Sequence, residues 1–138
     1  MIYQSKGPLR YSYEGDVGHK LIVEVDPEIA SFYRSLIPKY HKLNPQRYRP
    51  HISVVRKEVP INMECWGKYE GDLVEFEYSN EVHHGTVYWW LNAFSYKLEE
   101  IRLELGLPVS TEYTRPPGDY IKCFHITIGN NKGEQCRT

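Results

Sequence analysis

Hydrophobic positions along this chain switch between a strand-like period of two and a helix-like period near 3.6, and the switches divide it into elements. GPLRYSYEGD reads as a strand ending at Gly15-Asp16, and GHKLIVEVD as a second strand joined to it by a tight turn. DPEIASFYRSLIP changes the period. Ile29, Phe32, Tyr33, Leu36 and Ile37 form a helical stripe, Asp26 can cap it, Pro27 suits its first turn and Pro38 stops it. KYHKLNPQRYR is a polar, proline-punctuated loop that delivers the chain to RPHISVVR. In that strand, alternation puts His51, Ser53 and Val55 on one face and Ile52, Val54 and Arg56 on the other.

The second half repeats the scheme. KEVPINMECWGKYEG is irregular or a short strand. DLVEFEYSN sets Val74, Phe76 and Tyr78 against Leu73, Glu75 and Glu77, so one face is buried. In GTVYWWLNAF, Val87, Trp89, Leu91 and Ala93 form one face, and Tyr88, Trp90, Asn92 and Phe94 the other. SYKLEEIRLELG is a helix with Ser95 as cap, Leu98, Ile101 and Leu105 as stripe and Gly106 as stop. A loop, LPVSTEYTRPPGDY, leads to the last strand, IKCFHITIGN. Each half thus ends on a helix and a closing strand. The order suggests an α+β fold of two similar lobes facing one another, within one domain spanning residues 1–138.

Each closing strand carries the same polar pair on a β-branched background. His51 and Ser53 share a face, and so do His125 and Thr127, with an isoleucine between the members of each pair. A lone His-x-Ser in a strand is most simply a core histidine with its hydrogen bonds satisfied. Two copies in equivalent strands predict convergence on one cleft. Two imidazoles and two hydroxyls suffice for phosphodiester cleavage. One ring takes a proton from the attacking oxygen, the other gives one to the leaving oxygen, and the hydroxyls donate to the charged phosphate oxygens.

Composition narrows the partners. At 138 residues and 41% hydrophobic, the chain can build a core. A net charge of -1 provides no basic field for a long nucleic acid, but leaves room for a small anionic ligand held by local cations. Cys65, Cys123 and Cys136 form no C-x-x-C pair, and no apolar run reaches membrane-spanning length. These features predict a reduced, soluble, cytoplasmic protein with no membrane partner; a monomer or weak homo-oligomer is expected, and the paired motifs call for no metal or other cofactor. His83-His84 reads as solvated surface, since adjacent strand residues point apart. A nucleotide needs stacking platforms and a few cations. The candidates are Tyr11, Tyr13, Tyr88 and Trp90, each of which serves core packing equally well, with Lys20 and Lys122. Trp89 is expected in the core, and Arg56 is expected to point away from His51 if its strand is regular.

HISVV and HITIG match the paired H-x-[S/T]-x-hydrophobic motifs of the 2H phosphoesterase superfamily, which the chain resembles over most of its length. Within that superfamily, YSYEGDVGHKLIVEVDPEIASFYRSLIPKY, RPHISVVR, YWWLN, LEEIRLELGLP and FHITIGN resemble the phage anti-CBASS phosphodiesterases. Those proteins degrade the cyclic di- and trinucleotide signals that bacteria use against phage, without a metal. The resemblance implies a bilobal fold, two pseudo-symmetric antiparallel sheet lobes with helices outside and a central cleft, in which His51 and His125 are the acid–base pair and Ser53 and Thr127 bind phosphate. It also implies a protein that works in the cytoplasm of an infected host. Two alternatives stay open. One is a phosphodiesterase for 2′,3′-cyclic RNA ends or 2′–5′ linkages, and the other is a non-catalytic sponge for a cyclic nucleotide.

Overall fold

The computed structural model describes residues 1–111, 114–115 and 124–132. Among them are β1 (Ile2–Glu14), β2 (Gly18–Glu24), α1 (Pro27–Ser35), β3 (His51–Val55), β4 (Leu73–His84), β5 (Tyr88–Phe94), α2 (Tyr96–Glu104) and β6 (Phe124–Asn130). The fold is α+β, and every strand pairing is antiparallel. The order matches the periodicity. β1 starts earlier than GPLRYSYEGD suggests, and residues 57–71 hold a short 3-10 turn at Met63–Cys65 and no strand.

The helix ends follow from their caps. Asp26 accepts a hydrogen bond from the Glu28 N–H at 3.0 Å, and Pro27 begins α1. The Ser95 hydroxyl accepts from the Leu98 N–H at 3.3 Å and donates to the Glu75 carbonyl at 3.1 Å, tying the start of α2 to β4. Gly106 stops α2 in the left-handed region at φ +82°.

The strands close into one ring in the order β1-β2-β3-β6-β5-β4. Residues 1–55 contribute three neighbours, β1-β2-β3, and residues 73–130 another three, β4-β5-β6. The halves meet twice, at β1·β4 and at β3·β6. The two expected sheets are therefore continuous. The reason lies in β1, which pairs with β4 up to Pro8 and with β2 from Leu9 onward. Gly7 sits at that hand-over, where a Cβ would lie 1.8 Å from the Glu24 carbonyl oxygen.

One face of the sheet packs into a core of Leu9, Leu21, Val23, Ile52, Phe76 and Ile126, completed by Leu98, Ile101 and Leu105 along α2. The predicted α2 stripe is buried, with Arg102 fully buried beside it. A second cluster sets Ala30 and Tyr33 of α1 against Trp89, Leu91 and Ile128. Trp89 is thus core, as expected. No helix among the described residues is long and apolar enough to cross a membrane.

Gly7→Ala should destabilise the fold by about 3 kcal/mol, because the new methyl group meets backbone rather than a movable side chain. Urea unfolding of the variant measures this, and a midpoint equal to the parent's would show that the strand hand-over is not tight.

Candidate active site

β3 meets β6 through the pair Ile52–Ile126. Antiparallel register then sets His51 across from Thr127 and Ser53 across from His125. Both isoleucines are fully buried, so the polar rows occupy the opposite face of the two strands. All four polar side chains line one cavity of about 560 Å³. The paired strands bring the two sequence motifs together without either residue leaving a regular strand position.

Each imidazole is oriented from behind. His51 Nδ1 lies 2.9 Å from the Arg49 carbonyl, and His125 Nδ1 lies 3.3 Å from the Thr114 carbonyl. A carbonyl only accepts, so each Nδ1 carries the hydrogen and each Nε2 is left as the basic nitrogen. The Thr114 carbonyl is itself held in a turn in which the Thr114 hydroxyl accepts from the Thr111 N–H at 3.1 Å and donates to the Thr111 carbonyl at 3.2 Å.

Burial lowers the proton affinity of both rings. His51 falls below the usual imidazole value mainly by desolvation, with the Lys20 and Arg56 cations adding to it and the Arg49 carbonyl opposing it. His125 falls to about 4, again chiefly by burial, with the His51 ring and Arg56 adding to the effect. Both rings are therefore neutral near pH 7 in the empty protein.

Cations dominate the cavity wall. Arg49, Arg56, Arg115 and Lys132 line it, and no carboxylate does among the described residues. Arg49 also approaches Glu24 at 3.5 Å. Tyr48, Tyr88 and Trp90 supply aromatic surface. Trp90 is nearly buried and donates from Nε1 to the Asn92 side-chain oxygen at 3.2 Å. Lys132 stands 5.2 Å over the Tyr88 ring.

Several expectations land elsewhere. Tyr11 does not line this cavity: it packs edge-on against Trp66 at 4.9 Å and its hydroxyl is buried without a partner. Burial raises that phenol to about 12. Tyr13 is exposed and packs edge-on against His19, also outside the cavity. The reason is that β1 lies across β2 from β3, so its side chains reach the Trp66 side of the ring rather than the β3·β6 seam. Lys20 pairs with Glu14 at 3.3 Å and sits 5.9 Å from the Tyr48 ring, close enough to act on His51 through its charge. Lys122 lies outside the described residues. His83 is half-buried, stacked on Trp90, and His84 is exposed.

Arg56 reverses its expected direction. Leu21 pairs with Val55 and Ile22 with Ser53, which makes Val54 an extra residue in β3. This bulge resets the alternation. Val54 and Val55 are both buried, and Arg56 comes round to the His51 side. Two adjacent buried valines ahead of a charge were the one local signal of it. Arg49, Arg115, Lys132, Gln46 and Tyr48 had no sequence signal, because loop geometry brings them to the cavity.

Comparison with protein-family models, with curated proteins and with solved structures finds no match to this chain.

The imidazole environment has a consequence for stability. A ring whose proton affinity is lower folded than unfolded stabilises the fold fully above about pH 6.5, and that contribution is lost as pH falls through the folded value, about 4 for His125. The parent should therefore lose more stability between pH 7.5 and 4.5 than His125→Asn does. Urea midpoints at the two pH values test this, and equal losses would refute the buried neutral ring.

Proposed function

We propose that this chain is a phosphodiesterase that cleaves 3′–5′ linkages of cyclic di- and trinucleotide signals, and that it thereby counteracts bacterial anti-phage defence of the CBASS type. The observation that carries the reading is the meeting of two imidazoles and two hydroxyls in one cavity walled by cations and aromatic rings. A cavity of about 560 Å³ has room for a compact ring with several phosphates. The two halves of the ring share the strand–strand–helix–strand order, and we read them as the two lobes of a 2H phosphoesterase with the cavity at their junction.

The chemistry follows from the pairs. One Nε2 takes the proton from the attacking oxygen, a ribose 2′-hydroxyl or water. The other imidazole, protonated in the complex, gives its proton to the departing 5′-oxygen. Ser53 and Thr127 donate to the non-bridging phosphate oxygens, where charge gathers in the transition state. Arg56, Arg49, Arg115 and Lys132 hold the anion in place. A bound phosphate also opposes the effect of Arg56 on the rings, so one imidazole regains a proton as substrate binds. His51, His125, Ser53 and Thr127 supply acid, base and charge stabilisation without calling on a metal.

Incubation with 3′,3′- and 2′,3′-linked cyclic dinucleotides, cyclic trinucleotides and a 2′,3′-cyclic-ended RNA should give cleavage of the cyclic oligonucleotides, unchanged by chelator. Return of every cyclic ligand intact would point to sequestration, and selective opening of the RNA end to an RNA-processing role. His51→Ala and His125→Ala should each lower kcat by roughly 10² to 10⁴ with the fold retained by circular dichroism.

The pH profile of kcat/KM reports the free protein, and the productive form has one ring protonated and one neutral. Its rate should rise as pH drops from 8 toward 6, because His51 titrates below the ordinary 6.5, and fall again below about 4, where His125 takes its proton. A profile that instead climbs steadily from pH 5 to 8 would contradict this assignment.

A further inference from the structure

β3 and β6 carry the same irregularity at the same place. One extra residue follows the motif hydroxyl in each strand: Val54 after Ser53, and Ile128 after Thr127, the latter because Trp89 pairs with Gly129 and Trp90 with Thr127. An extra residue drops out of the ladder, so its buried carbonyl needs another donor. A helix arginine provides it in both strands. Arg102 Nη1 donates to the Val54 carbonyl at 2.7 Å, and Arg34 Nη1 donates to the Ile128 carbonyl at 2.8 Å.

The connections are crossed. Arg102 stands on α2, in the second half, and reaches β3 of the first. Arg34 stands on α1, in the first half, and reaches β6 of the second. Arg102 is fully buried, with its charge met by a two-point contact to Glu58 at 2.7 and 2.8 Å and its Nε donating to the Pro108 carbonyl at 2.7 Å. A buried ion pair is weak support for stability compared with apolar side chains of the same volume. The repeat of one arginine per bulge, from opposite halves, calls for another explanation.

We propose that Arg34 and Arg102 are paired positioning residues: each fixes the bulge on the motif strand of the opposite half, and together they set which groups face the cavity. On β3 the bulge determines the side of Arg56, since regular alternation would turn Arg56 away and Val55 inward. On β6 the bulge seats Gly129 against Leu43 and Asn44, where a Cβ would come within 2.8 Å of both. It also lets Asn130 exchange backbone hydrogen bonds with Asn44 at 2.7 and 2.9 Å. The loop that supplies Gln46, Tyr48 and Arg49 is anchored there, with the Asn130 side chain also donating to Gln46. The catalytic consequence rests on the phosphodiesterase reading; the clamps themselves do not.

The test uses the double substitution Arg102→Met with Glu58→Met, which removes the pair at constant net charge and keeps the volume filled. Imidazole titration by NMR is then compared with Arg56→Gln, which removes the cation outright. The double variant should raise the proton affinity of both His51 and His125 by most of the Arg56→Gln amount, and adding Arg56→Gln to it should raise them little further. Parent-like titration, or simple additivity, overturns the β3 clamp. Arg34 is only half-buried, so Arg34→Met provides an arm that does not depend on the core substitution folding. It should speed amide exchange at Asn44 and Asn130 by roughly tenfold, with Arg34→Lys restoring most of the protection. Parent-like exchange in Arg34→Met overturns the β6 clamp. Both readouts are spectroscopic, so a chain without phosphodiesterase activity would still decide them.

Discussion

The antiparallel pairing of Ile52 with Ile126 joins the two halves beside the histidine-lined cavity, and the geometry of the cavity depends on it. Both side chains are fully withdrawn from water, each contributing roughly 1.5–3 kcal/mol by burial. Their burial also fixes a direction. With the isoleucines inward, His51, Ser53, His125 and Thr127 must all lie on the other face. A slip of one residue would exchange the rows, exposing isoleucine and burying unpaired imidazole and hydroxyl groups. The register is therefore held by the same alternation that sets out the polar groups.

The second seam, β1 with β4, lets that pairing persist. Because β1 hands over from β4 to β2 at Pro8 and Leu9, the sheet has no free edge among its six strands. α2 closes the core beneath β3, and α1 packs against β5 and β6. The His-x-Ser and His-x-Thr rows stand on strands backed by buried apolar layers, which holds their spacing more firmly than loops would.

Electrostatics at the cavity work in two directions at once. The cationic wall favours an anion, while burial, with Arg56 adding to it, makes it harder for the imidazoles to hold a proton. The proposed acid–base pair needs one proton between the rings. In the proposed reaction a bound phosphate would supply the missing negative charge and so couple recognition to protonation. The carbonyls of Arg49 and Thr114 keep each ring in one tautomer throughout.

The amino-acid sequence by itself determined the elements and the motif faces, because these depend on neighbours a few residues away. Asp26 and Ser95 cap helices where their side chains can reach the next turn, Leu98, Ile101 and Leu105 share one face by helical spacing, and alternation pairs His51 with Ser53 and His125 with Thr127. Only the tertiary structure decided what surrounds those faces. Closure into one ring depends on which strand lies beside which, and no local pattern encodes that. Arg56 turned inward because a bulge reset the alternation. Arg49, Arg115 and Lys132 arrived on segments outside the regular elements, and Tyr11 was drawn toward Trp66 instead. Local chemistry is written in residue spacing, whereas a shared cavity is a property of chain segments far apart that packing alone brings together.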